Sequence, residues 1–297
     1  MKLLLVFNPL AAGGRAGRRL PAIRERMQAS GVEADVQATS HSGHAEELVR
    51  EADLTRIDAV VVAGGDGTLS QALNGLMTHP AKNRRPLGLI PVGTGNAFSR
   101  DIGLDPDAWL ESVDAIVKGT TRSVDIGKVE THSDTFYFLN IAGFGFVTDA
   151  GRTAAKLKFA GKSAYTLATL WRCLRLRSHL LELEVDGQVI RQENLLAEVS
   201  NSRYTGTSFL IAPGAKIHDG LLDIVLVRKL SRLRLLRLFP TIYKGEHIKY
   251  KEVETLQGRV ITISSPDGLE LMVDGEFRSQ TPVRIECLPS EIDMFVP

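Results

Sequence analysis

The residues able to do chemistry sit in a few short segments. Val62-Ala63-Gly64-Gly65-Asp66-Gly67-Thr68-Leu69 carries an apolar run through three glycines into a stretch with helical spacing. Glycines let the backbone approach a ligand closely, and the N–H groups and dipole at a helix N-terminus attract phosphate oxygens. Asp66 has the reach to meet a Mg²⁺ bridging them. An ordinary βα turn with Asp66 as helix cap explains this one segment equally well. It recurs, however: Leu89-Ile90-Pro91-Val92-Gly93-Thr94-Gly95-Asn96 is a second strand ending in a glycine-rich turn, and Phe7-Asn8-Pro9 with Gly13-Gly14 is a third. Turns at the carboxyl ends of parallel strands open on one crevice, which favours a nucleotide. No Gly-x-x-x-x-Gly-Lys-Ser/Thr is present, and Gly143-Phe144-Gly145 lacks the third glycine of a dinucleotide fingerprint. Farther on, Asp274-Gly275-Glu276 reads as a hairpin turn with or without a catalytic carboxylate, and Lys216 to Leu221 as a loop with an Asp-Gly turn.

The elements that must position these residues follow from periodicity. Leu3 to Phe7, Ala34 to Ala38, Ala59 to Ala63 and Leu87 to Val92 read as strands, and the last two are apolar enough to be buried on both faces. Between them Leu20, Ile23 and Met27, then Ala45, Leu48, Val49 and Ala52, then Leu69, Leu73 and Leu76 recur at helical spacing, and Leu110 to Val117 gives a further helix stopped by Gly119. This is a doubly wound, Rossmann-like α/β nucleotide-binding domain over residues 1–126. The rhythm then changes. Strand-like runs at 135–142, 181–185, 195–201, 221–227, 260–264, 269–273 and 283–288, with helices expected over 154–177 and 230–243, describe a larger, mainly antiparallel β-sandwich over 127–284. The segment of about 285–297 is a candidate to pack back on the first domain.

These residues, in this order, resemble the diacylglycerol kinase catalytic-domain family, the soluble bacterial lipid kinases related to sphingosine and ceramide kinases. The resemblance rests on the Asn8-Pro9 turn, Thr39 ahead of Gly43-His44-Ala45, Gly64 to Thr68, Pro91 to Asn96, Ser123-Val124-Asp125, Asn140 with Gly143 and Gly145, Lys216 to Asp223, and Asp274-Gly275-Glu276. It implies transfer of the ATP γ-phosphoryl to a lipid hydroxyl in a cleft between the two domains, with a diacylglycerol-like acceptor. Carried over by position, the nucleotide contacts are Asn8, Thr39, Gly64, Gly65, Asp66, Gly67, Thr68, Thr94 and Asn96. Glu276 is the general base, expected to face Asp66, the second catalytic candidate. A Mg²⁺ site away from ATP uses the Asp219 carboxylate with backbone oxygens of Lys216 and Leu221. Asp125 is read as structural. Many members carry Asp where this chain has Ala97, a position where the sphingosine and ceramide branch has small residues, so the acceptor and the metal details stay open.

Composition narrows the field further. The 297 residues carry 36 Lys+Arg against 35 Asp+Glu, so the chain is not a bulk polycation for nucleic acid, and few aromatics are available for stacking on bases. No apolar run approaches the ~20 residues that span a bilayer, and Met1 to Val6, followed at once by Asn8-Pro9, reads as a strand rather than a signal peptide. Cys173 and Cys287 form no metal or disulfide pattern and suit a reducing cytosol. None of the seven histidines shows ligand spacing. Charge is uneven locally: Arg152, Lys156, Lys158, Lys162, Arg172, Arg175 and Arg177 form one basic stretch, and Arg228, Lys229, Arg232, Arg234, Arg237 and Lys244 another, each interleaved with leucines such as Leu174, Leu176, Leu233 and Leu236. Solvated helices packed on the sheet, or interfacial helices touching anionic lipid, both fit. The expectation is a cytoplasmic protein in peripheral contact with an anionic membrane surface, with a lipid substrate, no nucleic-acid partner, and a homodimer as a candidate assembly. The rival classes are a soluble-substrate kinase related to NAD kinases and a catalytically silent binder.

Overall fold

Strands that are apolar throughout need cover on both faces, and three of the first four strands have it. The computed structural model describes residues 1–156, 167–168, 171–173, 176–206 and 208–297. It divides into two units, Met1–Val124 with Ser290–Pro297, and Asp125–Pro289. In the first, β1 (Lys2–Phe7), β2 (Glu33–Ala38), β3 (Ala59–Gly64) and β4 (Leu87–Pro91) form a parallel sheet in the order β2-β1-β3-β4, and Met294 lies beside Leu87 at its edge. The helices are α1 (Leu20–Ala29), α2 (His44–Glu51), α3 (Asp66–Met77) and α4 (Trp109–Lys118), the last capped by Gly119. Leu3, Leu5, Val61 and Ile90 pack with Ile23, Met27, Val113 and Ile116 of α1 and α4. Strand order reverses between β1 and β3, the switch point at which open sheets of this kind bind ligands.

The second unit is built from β5 (Thr121–Glu130, entering from the first unit), β6 (Thr135–Phe138), β7 (Ile141–Gly145), β8 (His179–Val185), β9 (Gln188–Ser200), β10 (Tyr204–Thr205), β11 (Phe209–Leu210), β12 (Leu222–Arg228), β13 (Val253–Gly258), β14 (Val260–Ser264), β15 (Glu270–Val273), β16 (Glu276–Gln280) and β17 (Val283–Phe295, which runs on into the first unit). The pairings of β8 and β7 with β9, of β9 and β13 with β12, of β7 and β16 with β15, of β8 and β17 with β14 and of β5 with β6 are antiparallel; β9 pairs with β8 along its first half and with β7 along its second, while β12 joins β9 to β13. Alternate residues of these strands, among them Phe138, Phe144, Val199, Ile224, Ile263 and Ile285, interdigitate as the sandwich core.

Some elements depart from the sequence reading. The strand expected over 135–142 is two strands. The helix expected over 154–177 begins earlier, as α5 (Phe146–Lys156), because Gly145 at φ +71° ends β7 and turns the chain directly into a helix. The rest of that expected helix lies largely outside the described residues, as do Lys158, Lys162, Leu174 and Arg175. The helix expected over 230–243 is α6 (Arg232–Leu238) continuing as a 3₁₀ turn over Phe239–Lys244, where Pro240 offers no N–H to an α-helical ladder. Strands β13 and β16 were not legible: VETLQG and EFRSQ are half exposed and carry too few apolar residues to alternate.

Phe138 is fully buried, and its ring covers Gly127 of β5. Phe138→Ala is expected to lower the stability of the second unit by about 3–5 kcal/mol in denaturant unfolding, and Val189→Ala, at a 64% exposed side chain, to change it by less than about 0.5 kcal/mol.

Candidate active site

In the first unit the expected nucleotide residues stand on adjacent strand ends: Asn8 after β1, Thr39 after β2, Gly64 and Gly65 at the end of β3, and Thr94 and Asn96 in the turn after β4. Hydrogen bonds tie these turns together. The Asn8 N–H donates to the Ala63 carbonyl at 3.0 Å and the Thr39 N–H to the Phe7 carbonyl at 2.8 Å. Asn8 Nδ2 donates to Thr68 Oγ1 at 3.0 Å, which joins the first turn to the start of α3. The Gly64 carbonyl accepts both the Val92 and the Gly93 N–H at 3.0 Å, so the third and fourth turns touch through bare backbone. A Cβ on Gly93 would lie 2.4 Å from the Gly65 Cα, and one on Gly65 3.3 Å from the Gly93 Cα. Gly65 itself is extended at φ −110°, so close approach rather than any unusual dihedral is what requires glycine there.

Asp66 holds this contact shut. Its Oδ2 accepts the Ala97 N–H at 2.9 Å and its Oδ1 the Phe98 N–H at 3.1 Å. Burial pushes its carboxyl up from the usual range, opposed by those backbone N–H groups and by the Arg100 charge. The expected metal-side, catalytic carboxylate thus accepts a backbone N–H on each oxygen, bonds that tie the two turns together. Asn96 shows a similar difference. It is buried at φ +51°, its Oδ1 accepts the Gly93 N–H at 3.1 Å, and its Nδ2 donates to the Pro106 carbonyl at 2.8 Å. The expected nucleotide contact therefore shapes its own turn. What stays accessible is the N-terminal end of α3: a Cβ on Gly67 would meet no atom within 4 Å, which suits the approach of phosphate oxygens to the first N–H groups of the helix.

The histidine reading has one exception. His41, His44 and Glu47 place their ligand atoms within 4.8 Å of one another. His44 Nδ1 accepts the Ser40 N–H at 3.0 Å, so that nitrogen already closes the loop after Thr39.

In the second unit two constellations are built. The loop of Lys216, Asp219 and Leu221 is fixed by Asp125, whose N–H donates to the Ile217 carbonyl and whose Oδ2 accepts the Gly220 N–H, both at 2.7 Å. Asp219 is exposed, with Oδ1 accepting the Leu221 N–H at 3.2 Å. Asp223, which the sequence reading did not single out, stands close by: burial pushes its carboxyl up to about 6, and the Asp219 charge adds to the rise while Gln257 and Lys216 oppose it. Two carboxylates that repel each other, flanked by backbone oxygens, are a donor set that fits Mg²⁺.

The other constellation is the β15–β16 hairpin. Asp274 and Gly275 have φ +46° and +89°, the two positive values of a type I′ turn, in which Asp-Gly is favoured. The Asp274 carboxylate accepts N–H groups of Leu139, Asn140 and Ile141 at 3.0, 3.0 and 2.9 Å, so the turn is pinned to the start of β7. Glu276 opens β16, half-buried, with Oε2 2.7 Å from Arg278 Nη2. Asn201 links the two constellations by donating to the Asp125 and Leu139 carbonyls at 2.9 Å. Asp274 and Asn201 were invisible as positioning residues because their partners are backbone groups remote in sequence.

An α/β unit with glycine turns at a switch point, followed by an antiparallel sandwich carrying a carboxylate hairpin and an oxygen-rich loop, defines a phosphotransferase. Comparisons give the family. Residues 2–129 match the diacylglycerol kinase catalytic domain and residues 140–296 the YegS C-terminal NAD kinase β-sandwich-like domain. The chain is 34% identical over 300 residues to a diacylglycerol kinase of Mycobacterium tuberculosis, covering 100% of this chain and 95% of the relative, and 30% identical over 295 residues to one of Bacillus subtilis, covering 99% and 95%. A crystal structure from Bacillus anthracis, described as a candidate diacylglycerol kinase, superposes with a TM-score of 0.85 at 28% identity over 100% of this chain and 95% of that one. The chain belongs to the diacylglycerol kinase family and is a kinase that transfers phosphate to a hydroxyl.

Gly65→Val is expected to force the third and fourth turns apart and Asp66→Asn to loosen them, each lowering affinity for an ATP analogue by about tenfold or more in calorimetry while the protein stays folded. A pH prediction comes from Glu198 on β9, whose carboxyl burial pushes up to about 8 from its usual 4.5. The native state keeps this proton where the unfolded chain has lost it, so its contribution is fully present below about 4.5 and is lost as pH rises toward 8. Thermal unfolding at pH 5 and pH 8 should show a larger loss of Tm for the wild type than for Glu198→Gln.

Proposed function

We propose that the protein transfers the γ-phosphoryl group of ATP to the hydroxyl of a diacylglycerol-like lipid. The observation that carries this reading is the open N-terminal end of α3, held against a second glycine turn by Asp66. The N–H groups at Gly67 and Thr68 receive phosphate oxygens, Asn8 orients the Thr68 hydroxyl, and Thr39 and Thr94 stand at the rim. A bound Mg²⁺ would offset charge on the phosphates, and Asp219 with the Lys216 and Leu221 carbonyls would hold a second ion at the loop that Asp125 fixes. Glu276, steadied by Arg278, takes the proton of the acceptor hydroxyl as its oxygen bonds to the γ-phosphorus and the bond to ADP breaks. Full-length relatives named diacylglycerol kinases support the acceptor. Ala97, a buried methyl where many members carry Asp, supports a sphingoid- or ceramide-type lipid as a second reading.

Labelled ATP offered with diacylglycerol, a sphingoid base, ceramide or NAD tests the assignment: the label is expected in the diacylglycerol product, and label in NAD alone would refute it. Glu276→Gln should lower turnover by about 10²–10⁴-fold with ATP affinity nearly unchanged, because the amide keeps the shape and loses the basicity.

The reading includes peripheral contact with anionic lipid. Among the described residues no helix is long and apolar enough to cross a membrane. On α6, Leu235 and Leu238 are buried, while Leu233 is 71% exposed beside exposed Leu236, Arg232 and Arg237, a mixed apolar and cationic face suited to an anionic surface. Sedimentation with phosphatidylglycerol vesicles is expected to fall by about tenfold or more in a Leu233→Glu, Arg237→Glu variant, at roughly 1 kcal/mol per basic residue plus the lost apolar contact, and to be weak for both proteins on phosphatidylcholine.

A further inference from the structure

Strand β9 carries two buried polar side chains that the proposed chemistry does not use and that have an atom without a hydrogen-bond partner among the described residues. Its residues Ala197 and Val199 face the sandwich core with Ala142, Phe144 and Ile224. The alternate residues face the other side, where Leu196 joins Phe146 and Ala150 of α5, Val225 and Val227 of β12 and Leu238 of α6 in a separate apolar cluster. Glu198 lies on that second face, in register between Gly143 and Val225. It is 1% exposed, and its Oε1 has no hydrogen-bond partner among the described residues. Gly143 brings no side chain to meet it, and the position of the missing Cβ is taken by Val147 of α5, whose nearest atom is 2.6 Å away. Ser200, the next residue on the same face, is 0% exposed, and its Oγ has no partner either. Its register partner is Asp223, beside the loop of Lys216 to Leu221.

One face of β9 therefore runs from an apolar cluster at Leu196, through a carboxyl oxygen and a hydroxyl without partners among the described residues, to the polar loop. Buried groups of these kinds are almost always paired, since desolvation without a bond is costly. Two of them on one strand face mark a place that a ligand completes. An apolar body with oxygen acceptors at one end matches the gradient from Leu196 to Asp223. In apolar surroundings with no cation against it, a carboxyl keeps its proton and can donate it in a hydrogen bond.

We infer that Glu198 and Ser200 bind the ester or hydroxyl oxygens of the acceptor lipid, with its acyl chains against the Leu196, Phe146 and Leu238 cluster. This rests on the lipid-kinase reading and extends it to the residues that select the acceptor. Dioctanoylglycerol in mixed micelles, with the full chain and saturating Mg-ATP, provides the test. Glu198→Ala is expected to raise the KM for the lipid by about tenfold with the KM for ATP and kcat within twofold of wild type, and Ser200→Ala to raise it less. Glu198→Gln, which keeps a hydrogen-bond donor of the same shape, should restore most of the affinity, a rescue that a purely structural role would not require. Should Glu198→Ala fail to fold, Glu198→Leu fills the volume with apolar atoms and is expected to give the same rise in KM. An unchanged lipid KM in a folded Ala or Leu variant would overturn the inference. So would a Gln variant as poor as Ala on diacylglycerol, together with a wild type that prefers a long-chain amino alcohol, since that pattern means an ion pair with an amine. Failure of the wild type to phosphorylate any lipid would instead overturn the lipid-kinase reading, and the two failures are distinct.

Discussion

The contact on which the first unit depends is between two stretches of bare backbone, Gly64-Gly65 and Gly93, and it is Asp66 that keeps it closed. A glycine turn alone is floppy; its value to a ligand lies in N–H groups held in one place. By accepting the Ala97 and Phe98 N–H groups, Asp66 makes the turn after β3 and the turn after β4 a single body, and it does so from the first residue of the helix whose N-terminus is proposed to receive the phosphates. Asn8 extends the same device to the turn after β1 through the Thr68 hydroxyl. The site is thus organised before any ligand arrives, at the cost of burying a carboxylate.

The second unit solves a comparable problem with the same means. Asp274 accepts three consecutive backbone N–H groups at the start of β7, Asp125 grips the 216–221 loop, and Asn201 spans the two. Each acidic or amide side chain spends its hydrogen bonds on backbone, beside a neighbour, Glu276 in one case and Asp219 in the other, to which the proposed function gives a role. In both units, turns are positioned by short side chains bonded to backbone, and the two acids of Asp-Gly-Glu stand in different surroundings, Asp274 on three N–H groups and Glu276 beside Arg278.

Much of this was legible from the chain. Buried parallel strands announce themselves as unbroken apolar runs, so β1, β3 and β4 and the helices between them followed from periodicity, and the ordered set of motifs from Asn8-Pro9 to Asp274-Gly275-Glu276 was enough to show the family resemblance. What periodicity could not supply was polar strand structure, as in β13 and β16, and the start of α5, where a single glycine switches the chain from strand to helix. The backbone hydrogen bonds of Asp66 and Asn96 were not legible for a different reason. A side chain in a glycine turn looks like a ligand contact in sequence, and only the position of the neighbouring turn shows that its bonds are already made. Glu198 carried no signal beyond being one acid in an otherwise apolar strand end, LLAEVS.

The measurement that bears most directly on this account is a crystal structure of the protein with Mg²⁺ and a non-hydrolysable ATP analogue. The account predicts phosphate oxygens within hydrogen-bonding distance of the Gly67 and Thr68 N–H groups, with the Asp66 carboxylate still bound to the Ala97 and Phe98 N–H groups. A nucleotide bound away from the α3 N-terminus, or an Asp66 that has left the backbone to coordinate the metal, would contradict it.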